Sequence, residues 1–220
     1  MKVFFIFSFL IVAFSSFGIK AYYYFTSYYS IDSKPYIEMY FAFVGNSLTY
    51  EKREDVYRAI IELTFLFKQN NEVKLYDKIY VDAPQLSDTT RRTDFVYVHR
   101  MFIEPGAYNL ELIVRDTLEK SAKCEKRFSD VVQILPLGND LRASGISLIE
   151  KSQPTEKENM FSKSGYDLFP YISDFFPSNV RKIQAYIEFY NTVTVFSSED
   201  FLVRYYIKKV TGNQPFENYV

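Results

Sequence analysis

Residues 104–118 read EPGAYNLELIVRDTL. Tyr108, Leu110, Leu112 and Val114 recur at every second position, against Asn109, Glu111 and Arg115, with Ile113 the exception. Successive side chains of a strand point to opposite faces, so this period predicts a strand with one face in a core. Pro105 presets φ and Gly106 tolerates φ > 0, the pair expected at the central positions of a type II turn. Tyr108 then stands where a tyrosine corner would pin a sandwich connection through its hydroxyl.

The same period extends outward in both directions. In residues 36–44, Ile37, Met39, Phe41 and Phe43 share one face, and Tyr36, Glu38, Tyr40 and Ala42 the other. Residues 57–68 read as one strand with Tyr57, Ala59, Ile61, Leu63, Phe65 and Phe67 inward. Residues 73–81 pair back on it as a hairpin across the polar link Gln69-Asn70-Asn71-Glu72. Residues 95–103 and 122–134 complete the set, and the aromatic lead-in from Tyr22 to Tyr29 reads as a further strand over a sandwich face.

Short alternating strands without an amphipathic helix predict an all-β chain, in which an antiparallel, immunoglobulin-like β-sandwich occupies residues 22–135. Leu135, Pro136, Gly138, Asn139 and Asp140 mark a junction. Beyond it, residues 144–220 read as a second, smaller β-rich domain. Its expected strands are 145–150, an alternating stretch at 183–190 and 201–210. Residues 151–165 read as a polar loop, and Pro170 and Pro177 as interruptions. That is thin for an independent sandwich, so this part completes itself against the first domain or belongs to a longer design.

Composition narrows the classes of function. Hydrophobic residues make up 48 % and charged residues 24 %, a globular balance. The 20 Tyr and 22 Phe, with no Trp, favour the pleated surface of a sheet. A formal charge of -1 without a basic cluster argues against a nucleic-acid partner. Residues 1–21 have the layout of a secretory signal: Lys2, an apolar run over 3–13, then small residues, with cleavage expected after Gly18 or Ala21. The apolar run is shorter than the ~20 residues a spanning helix needs, so membrane contact is expected only through an uncleaved signal. Cys124 is the one cysteine, which leaves an exported fold to rest on its core.

Catalytic constellations are sparse. His99 is the single histidine, and no G-x-S-x-G elbow exists to present a serine to it. The seven glycines show no phosphate-loop spacing, and no metal-ligand spacing occurs, so no cofactor and no catalytic residue are assigned. Two near-identical pentapeptides do stand out: Tyr36-Ile37-Glu38-Met39-Tyr40 and Tyr186-Ile187-Glu188-Phe189-Tyr190. In each, alternation puts one carboxylate on the same face as two tyrosines. Tyr36, Glu38, Tyr40, Tyr186, Glu188 and Tyr190 are therefore the candidate contact surface.

Three stretches together carry a resemblance. They are Lys34-Pro35-Tyr36-Ile37-Glu38-Met39-Tyr40, the strand opened by Pro105-Gly106-Ala107-Tyr108, and Ala185-Tyr186-Ile187-Glu188-Phe189-Tyr190-Asn191. In this order they resemble the N-terminal portion of the GWxTD-domain proteins of Bacteroidetes, over roughly residues 22–215. The resemblance implies export across the inner membrane of a Gram-negative cell and a two-part β scaffold. The name-giving motif needs a tryptophan, which this chain lacks, so nothing that resides in that motif carries over. The expectation is an exported, non-enzymatic protein that contacts a protein partner in the cell envelope, in the periplasm, at the outer membrane or outside. A glycan-binding module with a tyrosine platform is the alternative.

Overall fold

A computed structural model of the chain describes residues 18–173, 175–197 and 200–206. Strand makes up 52 % and helix 4 %, which fixes the class as all-β. The first part runs through β1 (Ala21–Tyr29), β2 (Pro35–Phe43), β3 (Glu51–Arg53), β4 (Val56–Arg58), β5 (Ile60–Gln69), β6 (Glu72–Asp82), β7 (Phe95–Phe102), β8 (Gly106–Asp116) and β9 (Glu125–Ile134). All pairings are antiparallel. One sheet has the order β1-β2-β7, the other β6-β5-β8-β9, and β3 and β4 form a small separate ribbon.

The core lies between these two sheets. On β5, Ile61, Leu63, Phe65 and Phe67 are fully buried. In register beside them on β8 stand Val114 opposite Leu63, Leu112 opposite Phe65 and Leu110 opposite Phe67. From β2, Ile37, Met39, Phe41 and Phe43 close the layer, with the Phe41 and Phe65 rings edge to face at 6.0 Å. Phenylalanine at alternate positions on both sheets removes a large apolar area from water, the dominant stabilising term for such a fold.

Two expectations about the first part need correction. Residues 57–68 are two strands, because Tyr57 leaves the sheet to exchange backbone hydrogen bonds with Leu86, and Ala59 is the break between β4 and β5. Gly106 is not at positive φ; among the described residues only Gly138 and Gly165 are positive-φ glycines, so the type II turn is absent. A Cβ at 106 would lie 2.4 Å from Gln69 Nε2, the movable end of a flexible side chain, and 3.3 Å from the Tyr108 ring. Tyr108 does close a corner: its hydroxyl donates to the Glu104 carbonyl at 2.8 Å. The β5–β6 hairpin turns through Asn70 and Asn71, both at positive φ, as a two-residue loop matched to strand twist demands.

The second part has β10 (Arg142–Ala143), β11 (Ser147–Pro154), β12 (Ser162–Lys163), β13 (Tyr166–Pro170), β14 (Gln184–Tyr186) and β15 (Phe189–Tyr190), then a short helix α1 (Thr192–Phe196). A four-stranded sheet has the order β12-β13-β11-β14, and β10 pairs with β15. Here the proline rule misled the sequence reading. Residues 166–170 form an inner strand that ends at Pro170 instead of being broken by it, and residues 151–154 and 162–163 belong to strands rather than to a loop. The stretch 183–190 is not continuous either, because β14 and β15 lie in different sheets. Residues 201–206 form no strand, and the rest of that expected strand lies outside the described residues.

Residues 1–17 of the expected leader lie outside the described residues. Residues 19–21, included in that leader by the sequence reading, pack with the sandwich, where Ile19 and Ala21 are buried. Among the described residues no helix is long and apolar enough to cross a membrane.

Candidate functional site

The outer face of the β1-β2-β7 sheet is covered by the second part of the chain, so β2 is packed on both sides. Its inward residues are aliphatic and aromatic; its outward residues Tyr36, Glu38 and Tyr40 meet the second part along a polar seam. Glu38 and Tyr40 are each only 3 % exposed. In register on β7, Arg100 stands opposite Glu38 and donates through Nε to Oε2 at 2.5 Å. The Tyr40 hydroxyl donates to Glu38 Oε1 at 2.5 Å.

From across the seam comes Lys163 on β12. Its Nζ lies 3.4 Å from Glu38 Oε2 and 3.5 Å from Glu188 Oε1, and 2.9 Å from the centre of the Tyr28 ring. Glu188 also accepts hydrogen bonds from the hydroxyls of Tyr186 and Tyr190. The two pentapeptides are thus bridged by one ammonium group. Two carboxylates and two cations balance, and each of the four carboxylate oxygens has at least one donor, as buried ions require. Ser147 completes the seam, its hydroxyl 2.6 Å from Tyr28 and 2.8 Å from Tyr40.

The electrostatics follow from this burial. Burial pulls the Lys163 amine below the ordinary lysine value, against the pull of Glu38 and Glu188 upward. Burial pushes the Tyr28 phenol up to about 12, and burial joined to the Glu38 charge pushes Tyr40 higher still. All of these tyrosines are hydrogen-bonding neutral phenols at neutral pH.

All six candidate residues therefore converge, in two layers. Glu38, Tyr40 and Tyr186 line a cavity of about 10 Å³, room for no more than a water molecule. Tyr36, Glu188 and Tyr190 line an open groove of 560 Å³ together with Tyr29, Lys163 and Asn191. Tyr190 packs edge-on against Tyr29 at 4.9 Å, and its hydroxyl accepts from the Tyr29 backbone N–H at 3.1 Å. The groove's lip is the β1–β2 turn, where Ile31 is fully exposed. Beside it Phe102, 64 % exposed, packs edge-on against Tyr36 at 6.1 Å.

Sequence reasoning missed Arg100, Ser147 and Lys163. Arg100 could have been paired with Glu38 only by knowing the β2–β7 register. Lys163 fell in the stretch read as a polar loop, and no local pattern distinguishes it from its neighbours. Of the other chemical candidates, His99 has structural employment. His99 Nε2 lies 2.8 Å from Asp77 Oδ2, and its ring stacks on Phe65 at 5.2 Å. Cys124 is a free, half-buried thiol. Among the described residues no group of three or more His, Cys, Asp or Glu side chains could hold a metal ion.

Comparison with protein-family models, curated proteins and solved structures returned no match to this chain.

Proposed function

We propose that this is an exported, non-enzymatic β-sandwich protein that works by protein–protein contact in a Gram-negative cell envelope, with the groove over the seam as its contact site. The observation that carries the reading is the groove's composition. Tyr29, Tyr36 and Tyr190 form its walls, and the exposed Ile31 and Phe102 stand at its edge. Aromatic residues are enriched in protein interfaces, and tyrosine is over-represented among the residues that dominate their binding energy. The buried ion network beneath holds both walls in place, so little ordering is required when a partner docks.

The architecture fits this role. Counted as seven main strands A to G, β1, β2 and β7 form an A-B-E sheet and β6, β5, β8 and β9 a D-C-F-G sheet. We read this as an immunoglobulin-like arrangement with strand D moved to the second sheet, supported by the Tyr108 corner at the start of strand F. Export itself rests on the layout of residues 1–21 and the resemblance to GWxTD-domain proteins.

Glycan binding is the second reading, because tyrosine faces beside a carboxylate and an amide suit a sugar ring. Two observations weigh against it. The Glu188 oxygens already accept from Tyr186 and Tyr190, and the Asn191 amide donates to the Gly138 and Asp140 carbonyls. The test is affinity capture of the tagged full chain from envelope fractions, beside Ile31→Asp and Phe102→Asp. A partner protein retained by the native chain and lost from both variants supports the proposal. Recovery of free monomer alone overturns it. Glycan binding that survives Ile31→Asp and disappears in Tyr36→Ala decides for the second reading.

A further inference from the structure

Export leaves open which bond is cut, and the folded domain discriminates between the two sites the sequence offers. Leader peptidases read small residues at the first and third positions before the cut. Ser16-Phe17-Gly18 supplies two small residues at that spacing, whereas Ile19-Lys20-Ala21 places a branched apolar side chain at the outer position.

The packing of residues 19–21 points the same way. Ile19 is 1 % exposed and belongs to the cluster that holds Phe41, Phe65 and Leu112. The Lys20 N–H donates to Ser47 Oγ at 2.9 Å, and its carbonyl accepts from the Val44 N–H at 3.1 Å. Ala21 is buried and opens β1 opposite Phe43. A cut after Ala21 would discard a fully buried isoleucine and both backbone hydrogen bonds, leaving a void beside Phe43. A cut after Gly18 keeps all of them.

We propose that the chain is hydrolysed between Gly18 and Ile19 by a leader peptidase that reads Ser16 and Gly18, before the domain folds. Water adds to the Gly18 carbonyl and the C–N bond breaks. Gly18 leaves as a carboxylate and Ile19 becomes the ammonium terminus of the mature protein. Timing follows from burial, because once Ile19 is in the core the bond beside it is no longer free to enter a protease cleft in extended form.

This inference rests on the export reading, and the experiment separates the two. The full chain with a C-terminal tag is produced in a Gram-negative host, and intact mass and the N-terminal peptide are measured in cytoplasmic and envelope fractions. The expected product is an envelope protein beginning at Ile19. Gly18→Leu should leave precursor as the main species, while Ala21→Leu should leave the cut position unchanged; both are read on the translocating chain, so folding of the variants does not enter. A mature protein beginning at Tyr22, or at any residue other than Ile19, overturns the proposed site but not export. An uncut chain in the envelope also overturns the site, and an uncut chain confined to the cytoplasm overturns export as well.

Discussion

The two halves of this molecule are held together by different forces. Before residue 135, the interior is aromatic and aliphatic, with Phe41, Phe43, Phe65 and Phe67 all fully buried. After it, Ile149 and Pro170 are the only described apolar residues that are buried, and the other buried side chains there include Ser144, Ser147 and Asp167. The first half thus carries its own hydrophobic core. The second half is ordered chiefly by what it touches: its own strand ladders and the polar seam on the β1-β2-β7 sheet. Apolar burial stabilises without demanding an exact partner, whereas buried ions stabilise only as a complete set. The seam therefore gives one relative placement of the halves and tolerates few changes.

The sharpest way to break the contrast is to attack each half at its own kind of contact. Phe65→Ala should destabilise the whole chain by about 4 kcal/mol, the usual cost of emptying a phenylalanine site in a core. Denaturant unfolding followed by far-UV circular dichroism measures it. Glu38→Ala should cost about 3 kcal/mol by taking the carboxylate from Arg100 and leaving Lys163 with Glu188 alone, the low end for a broken buried pair because Arg100 keeps about a third of its side chain in water. Its signature is regional. Hydrogen exchange should lose protection in β11, β13 and β14 while β5 and β8 keep theirs, and uniform loss would refute the division.

Closer packing across the seam gives a third test. A Cβ at Gly145 would lie 2.0 Å from Thr26 Oγ1, a buried hydroxyl without a hydrogen-bond partner among the described residues. Gly145→Ala should cost about 2 kcal/mol through overpacking, and Thr26→Ala in the same chain should recover part of it. Additive effects in thermal melts would mean the two sites do not meet.

The pH dependence follows with a definite sign. Tyr40 ionises near 10 when unfolded but well above that when folded, so its contribution is complete below pH 10 and is lost as pH rises beyond it. Lys163, pulled down by burial, acts in the opposite sense below its ordinary value. Comparison with Tyr40→Phe isolates the phenol: the stability difference should change by about 1.4 kcal/mol per pH unit above 10. A parallel pair of curves from pH 8 to 11.5 would sink this account. The smallest effect belongs to the first half alone. Tyr108→Phe should cost about 1 kcal/mol, one hydrogen bond to the Glu104 carbonyl, and leave partner capture intact. An unchanged melting point would show that the hydroxyl contributes nothing.

How much of this was legible beforehand differs between the halves for the same physical reason. Strands β5 and β8 announced themselves because one face meets the core, which imposes a period of two; β2 shows the same period because its second face meets a polar seam, and Tyr108 could be placed by its position just after Pro105-Gly106. The second half lacks that filter, having little core to impose a period. Its strand at 166–170 hid behind Pro170, and the alternation across 183–190 concealed a change of sheet. The six candidate residues were legible as two repeated pentapeptides, and the structure brings them to one place. That they face each other, three around an open groove and three beneath it, was not legible.

The sequence by itself determined the all-β class and the inward faces of the first sandwich. These are consequences of the chain's local period and need no knowledge of distant residues. Only the tertiary structure decided that Arg100 pairs with Glu38 and that Lys163 bridges Glu38 to Glu188, 150 positions apart in the chain. Register and the docking of one sheet on another are set by the sum of many weak contacts along whole strands, and no short stretch of sequence carries that sum.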